Sequence, residues 1–328
     1  MGKHKKRIKV FLFHPGEETV QKVPLDFKDT KKLLGIGFEE GAGILAVMDV
    51  NSNVLSKETI DIGAFLKKRI LNKDISAIAE KIEEKTIFKG IQFFLIGMAL
   101  PPWMDRISAK GIDILAGEIG RVFGSDVMVS KRATAAAYAE RELGHRTKGK
   151  DILFMHLDIG DGVVIKDSMI YEASAAEGIR GVRYLKPWAQ FSMAESAKSL
   201  VAKGVGTDIV DLVKGDINKI TLDVVLNAAE RRDELARDLV KRSGYALGVR
   251  VAYLVNMFGP KVVILGGGTE RSSGDFIKFV KDSANRFLCK SLKSKLRVVC
   301  GILEKEASAL GAALLCRRNL FREVSNGK

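Results

Sequence analysis

The sequence predicts a duplicated α/β architecture, two α/β domains in tandem around a cleft. Three observations predict it. A strand–turn–strand–turn–strand pattern, "LLGIGFEEGAGILAVMDVNSNVLSKETIDI", opens the first half, and "DILFMHLDIGDGVVIKDSMIYEA", a strand, a glycine-containing turn and a return strand, opens the second. After each, continuous apolar runs suited to buried strands alternate with amphipathic helical segments. The polar, basic stretch "TKGKD" at residues 147–151 lies between the two patterns.

Taken in order, residues 1–32 form a basic leader with a hairpin pattern around His14-Pro15-Gly16. A first α/β domain is expected over residues 33–148. Its opening strands turn at Asn51-Ser52-Asn53, and "DISAIAEKIEEK" follows as a helix with Asp74 as its N-cap. "IQFFLIGMAL" is a buried strand, "GIDILAGEIGRVFG" an amphipathic helix stopped by Gly124, and "DVMV" a short strand. An Ala-rich helix comes next, with Ser130 as its cap. A second α/β domain is expected over residues 149–306. Helices dominate it from about residue 193 to 258, then come the strand "KVVILGGG", the helix "SGDFIKFVKDSANRFL" and the strand "LRVVCGIL". Residues 307–328 hold a closing helix, expected to pack back on the first domain.

Hydrophobic residues make up 46% and charged residues 29% of the chain, the balance of a soluble globular protein. No apolar run is long enough to span a bilayer, and "VFLF" near the start is too short for a signal peptide core, so a cytoplasmic location is expected, without a membrane. Cys289, Cys300 and Cys316 are late, widely spaced and odd in number, which fits neither a disulfide framework nor a zinc cluster. His4, His14, His145 and His156 show no ligand spacing, and no metal site is expected. The net charge of +14 favours polyanions, but the cations are interspersed with Glu and Asp, so a solvated basic surface is the stronger reading.

Glycine-rich turns after strands cradle phosphates, because bare N–H groups approach them closely. Three such turns lie along the chain: "GFEEGAG" at 37–43, "DIGDG" at 158–162 and "LGGGTERSSGDF" at 265–276. Their order resembles the sugar kinase and actin-like ATPase fold, with two phosphate loops and an adenosine loop. The two domains would then be ribonuclease-H-like. More closely, the chain resembles the ROK family of bacterial sugar kinases and sugar-responsive repressors. "KVVILGGGTERSSGDFIKFVKDSANRFL" looks like the family's adenosine segment and "EASALGAALL" like its closing helix. "GSDVMVSKRATAAAYAERELG" lines up with a family stretch that reads like GLPVVVENDANAAALAE, and "LGIGFEEGAGILAVMDVNSNVL" with LGIDIGGTKIKAALVDLDGKVL. The resemblance spans residues 33 to 320.

The resemblance implies a catalytic Asp near the start of the Ala-rich helix, and Arg132 stands there, preceded by Lys131 where the family has Asn. A guanidinium cannot act as a general base near neutral pH. Gly37 stands at the metal-proximal Asp of the first phosphate loop, and Glu39, Glu40 and Gly41 at its GGT. The family's Cys-rich zinc motif has no counterpart. What the resemblance keeps is Gly41 and Gly43 near the first loop, Asp158, Gly160 and Gly162 in the second, and Gly266, Gly267 and Gly268 in the adenosine segment. Glu177 in "ASAAEGIRG" matches a sugar-contacting Glu. Lys131 and Arg132 either point outward and pair with Glu140 or Asp126, or form an anion site with the free N–H groups of the helix start.

The expectation is a non-catalytic sugar- or anion-sensing regulator or scaffold, a pseudokinase binding a sugar or sugar phosphate through Lys131, Arg132 and Glu177. The alternative is an ATP-dependent sugar kinase with substituted catalytic groups, which would need ATP and Mg. A third reading is a nucleic-acid or acidic-partner binder. The resemblance implies a homodimer, with residues 193–258 as the natural interface. The family's repressors carry a winged helix-turn-helix, and residues 1–32 hold no pair of amphipathic helices to form one.

Overall fold

The structure is a computed structural model that describes residues 8–13, 31–39, 41–66, 69–85, 88, 91–101, 108, 110–144, 151–157, 161–173, 192–268, 274–293 and 295–321. The chain divides into two units, residues 1–140 with 305–328, and residues 141–304.

The first unit is built on a six-stranded sheet. Its strands are β1 (Val10–Leu12), β2 (Lys31–Glu39), β3 (Ala42–Met48), β4 (Val54–Asp61), β5 (Gln92–Ala99) and β6 (Asp126–Ser130), in the order β1-β6-β5-β2-β3-β4. β2, β3 and β4 form an antiparallel meander, while β2, β5, β6 and β1 run parallel. The central strands are apolar on both faces, as strands covered on both sides must be. On one face, Ile75, Ile78 and Ile82 of α1 (Asn72–Glu83) and Leu115 and Ile119 of α2 (Gly111–Phe123) join one core with Leu34, Ile36 and Phe38 of β2.

Elsewhere the unit carries α3 (Arg132–Ala139) and α10 (Ala307–Phe321). α10 lies on the strands at backbone distance. A Cβ at Gly35 of β2 would overlap the Ala309 carbonyl, one at Gly97 of β5 the Ala312 carbonyl, and one at Gly311 of α10 the Ala135 carbonyl of α3. These glycines are therefore required by close approach, not by turn geometry.

Several local expectations change. α1 starts two residues early, at Asn72, so Asp74 sits in the first turn, where its carboxylate accepts the Leu71 N–H at 2.9 Å. Ser130 is not a cap: it ends β6, and Lys131 takes the cap position without a side-chain cap bond. Gly124 does stop α2, in the left-handed conformation at φ 63°. The hairpin expected around His14 lies outside the described residues. Val10–Leu12 add to the sheet as β1, parallel to β6.

The second unit repeats the topology with five strands: β7 (Ile152–His156), β8 (Asp161–Lys166), β9 (Met169–Ala173), β10 (Val262–Gly266) and β11 (Arg297–Cys300), in the order β11-β10-β7-β8-β9. β7, β8 and β9 are the antiparallel meander, and β7, β10 and β11 run parallel. The helices are α4 (Met193–Ala202), α5 (Ile209–Leu212), α6 (Leu222–Glu230), α7 (Glu234–Phe258), α8 (Gly274–Phe287) and α9 (Lys290–Lys293). Leu247 and Val251 of α7 and Phe276 and Val280 of α8 close the core over Val263 and Leu265 of β10. One sheet plan built twice is the duplication that the two opening patterns predict. No helix among the described residues is long and apolar enough to cross a membrane.

We expect Gly97→Ala to destabilise the protein by about 2–3 kcal/mol, because its methyl group would meet backbone that has no rotamer to escape through. Gly117→Ala, where nothing lies within 4 Å of the added Cβ, should gain about 0.5–1 kcal/mol. Urea midpoints of the two variants check the pair.

Candidate functional site

The parallel strands of the first unit end together at Glu39 of β2 and Ser130 of β6, the edge where open α/β sheets place ligands. Between β2 and β3, Gly41 has φ 82° and its carbonyl accepts the Ile62 N–H at 2.9 Å. β6 passes directly into α3. Lys131 at this junction is exposed, whereas Arg132 is buried to 5% exposure. The Arg132 guanidinium lies 3.8 Å from the Glu39 carboxylate. Glu39 is thus a partner of Arg132 that the sequence did not suggest. Sequence distance hid this partner, because β2 and α3 meet only through the sheet.

Gly37 stands two residues before Glu39. A Cβ there would overlap Ser308 Oγ and come within 2.8 Å of the Ala309 nitrogen, so the first turn of α10 occupies the space that an aspartate would need. Ser308 and Ser130 are both buried, and neither hydroxyl has a hydrogen-bond partner among the described residues. A buried hydroxyl left in that state costs about 1–3 kcal/mol, which a polar guest can recover. Gly43 lies within β3, where a Cβ would come 2.9 Å from Ile60 Cγ1, so packing against β4 accounts for it.

The described residues here do not fit a metal–nucleotide. The space an aspartate at position 37 would need is filled, and the nearby Glu39 carboxylate would repel phosphate oxygens. Among the described residues no group of three or more His, Cys, Asp or Glu is placed to hold a metal ion.

The second unit holds the other glycines. Gly266 ends β10 beside His156 of β7. Gly267 and Gly268 follow at φ 74° and 96°, a conformation that favours glycine. A side chain at Gly267 would overlap the buried His156 ring, and one at Gly268 would come 2.7 Å from Leu222 Cδ2. Gly162 is a β8 residue whose Cβ would press on Leu254 and Met155. Asp158, Gly160 and Glu177 lie outside the described residues.

One residue of this region was not singled out in the sequence. Arg250, on α7, is buried and faces Asp161 at the start of β8. Burial pulls its guanidinium below the ordinary value and the Asp161 carboxylate pulls it back up. The available signal was a lone cation inside the apolar run "ALGVRVAYLV".

The profile described as "ROK family" matches residues 41–319. The DNA-binding transcriptional dual regulator NagC of Escherichia coli is 21% identical over 321 residues, covering 90% of this chain and 78% of that protein. Among solved structures, a ROK family glucokinase from Streptomyces griseus in complex with glucose and AMPPNP superposes with a TM-score of 0.67 at 20% identity, over 87% of this chain and 98% of that one. A ROK family transcriptional regulator homologous to the Escherichia coli MLC protein gives 0.65 at 18% identity, over 89% and 79%. The architecture is that of the actin-like sugar kinases, and the relatives include both regulators and kinases.

Glu39→Gln removes one negative charge facing a buried guanidinium and should cost about 1–2 kcal/mol in a urea titration; this is less than a fully buried pair would lose, because Glu39 is about a third exposed. The double variant Glu39→Gln/Arg132→Met should recover most of that loss.

Proposed function

The chain belongs to the ROK family, and from that premise we propose that it is a non-catalytic sensor of sugars or anionic sugar derivatives, a regulator built on a kinase scaffold. The observation that carries this reading is Arg132. By the resemblance it stands where the family's kinases have the base that takes the proton of the sugar hydroxyl, and it is buried against Glu39. A group that stays protonated near neutral pH cannot perform that step.

The same arrangement favours an anion. Arg132 opens α3, where unpaired backbone N–H groups and the helix dipole both attract negative charge. Glu39 then acts as an internal stand-in for the ligand. A phosphate or carboxylate on a sugar would compete with it for the guanidinium, and bidentate geometry would favour the guest. The buried hydroxyls of Ser130 and Ser308 are further groups that a polyhydroxylated guest can satisfy.

A second reading, an active kinase, is favoured by one observation: Gly267 and Gly268 keep the left-handed backbone of a strand-to-helix nucleotide turn. The two readings separate in a thermal-shift panel of Mg-ATP, neutral hexoses and hexose phosphates. We expect a hexose phosphate or a sugar acid to raise Tm; a ligand at about a hundred times its Kd adds roughly 2.7 kcal/mol. Arg132→Ala should abolish that shift. A shift with Mg-ATP that survives Arg132→Ala would instead bring the kinase reading forward.

A further inference from the structure

Residues 278–297 of the second unit carry seven Lys or Arg against one acid, Asp282. Some surface cations elsewhere are matched: Lys57 pairs with Glu306, Lys198 with Glu195 and Arg242 with Asp238. In this stretch none of the seven forms an ion pair among the described residues, and all seven are exposed.

Their placement is ordered. Lys278, Lys281 and Arg286 lie on the outward face of α8, opposite the buried Phe276, Val280 and Ser283. At 1.5 Å per residue they are about 4.5 and 7.5 Å apart along the axis. Lys290 and Lys293 continue the track on α9, and Arg297 begins β11 at the edge of the sheet. The Arg297 N–H donates to the Lys261 carbonyl at 3.0 Å, which brings one more exposed cation alongside.

Two aromatic rings stand beside this track. Phe287, the last residue of α8, is 49% exposed, and Tyr245 of α7 is 44% exposed. Their ring centroids are 6.3 Å apart at an interplanar angle of 81°. The backbone beneath them is tied down. Ser283 Oγ donates to the Tyr245 carbonyl at 2.7 Å, Asn256 Nδ2 donates to the Phe287 carbonyl at 2.9 Å, and Asn256 Oδ1 accepts the Cys289 N–H at 3.0 Å. Large apolar rings held in water by a rigid frame are preorganised for a partner.

We propose that the α8–α9–β11 surface binds single-stranded nucleic acid, with the cation track along the phosphodiester backbone and unpaired bases stacked on Phe287 and Tyr245. A linear polyanion fits cations spaced by roughly one to two nucleotides, at about 3.4 Å per phosphate on one strand. Rings beside cations favour single strands, since only an unpaired base can stack on them. The outward face of α8 offers Asn285 as its one uncharged side chain able to read a base edge, so binding is independent of sequence. This surface stands on its own and does not depend on the sugar-sensing reading.

Fluorescence anisotropy with a labelled 20-nucleotide oligothymidylate tests it on the full chain. With about five phosphates neutralised, the log–log salt slope should be near −3.5, so affinity falls about 130-fold between 50 and 200 mM salt. Lys290→Glu/Lys293→Glu should weaken binding more than tenfold and flatten that slope. Phe287→Ala should weaken it about five- to a hundredfold at an unchanged slope, with the melting midpoint retained as a check on folding. No binding at 50 mM salt, or wild-type affinity in the charge-reversed variant, would overturn the proposal. So would equal affinity for the dA–dT duplex, or displacement by poly-glutamate or phosphatidylserine vesicles at matched charge.

Discussion

The approach of α10 to the sheet of the first unit, backbone on backbone, is the constraint from which the rest of the site follows. Gly35, Gly37, Gly97 and Gly311 each leave out a side chain so that this helix can lie against β2, β5 and α3. At such distances dispersion and packing are strong, and there is no slack for a larger residue. The first turn of α10 thereby settles beside Gly37, and Ser308 fills the space over it. An acidic side chain at position 37 would have to move that turn, so the glycine there is required by the packing.

An acid facing a buried arginine recurs in the two units. In the first unit a carboxylate at the end of β2, Glu39, meets a buried arginine at the start of α3. In the second unit a carboxylate at the start of β8, Asp161, faces a buried arginine on α7. In both units a hairpin strand carries the acid and a helix supplies the opposing cation. A carboxylate at either place would repel the phosphates of a nucleotide brought against it.

Much of the fold was legible in the sequence because its signals are local. The two meanders appear as alternating apolar strands with short polar turns, and α2 ends at Gly124 as its pattern requires. The site was less legible because its contacts are not local. "SKRA" looks like a capped helix start until β6 is seen to run through Ser130. Glu39 and Arg132 are 93 positions apart, by subtraction of their numbers, and only the parallel pairing of β2, β5 and β6 brings them together. Gly43 and Gly162 sit in glycine-rich strings that suggest phosphate loops, yet each is a strand residue whose missing side chain makes room for a neighbour. Gly35 and Gly97 gave no hint of their role, since a glycine shows its helix partner only in the folded chain.

The central claim is that the scaffold no longer transfers phosphate. The most direct measurement is phosphorus NMR of the purified protein with Mg-ATP and a panel of hexoses and N-acetylhexosamines, followed over hours at high protein concentration. The account predicts no hexose phosphate signal and no sugar-dependent loss of the γ-phosphate. Appearance of a sugar phosphate at a rate proportional to protein, and lost in a variant of the Gly267–Gly268 turn, would contradict it.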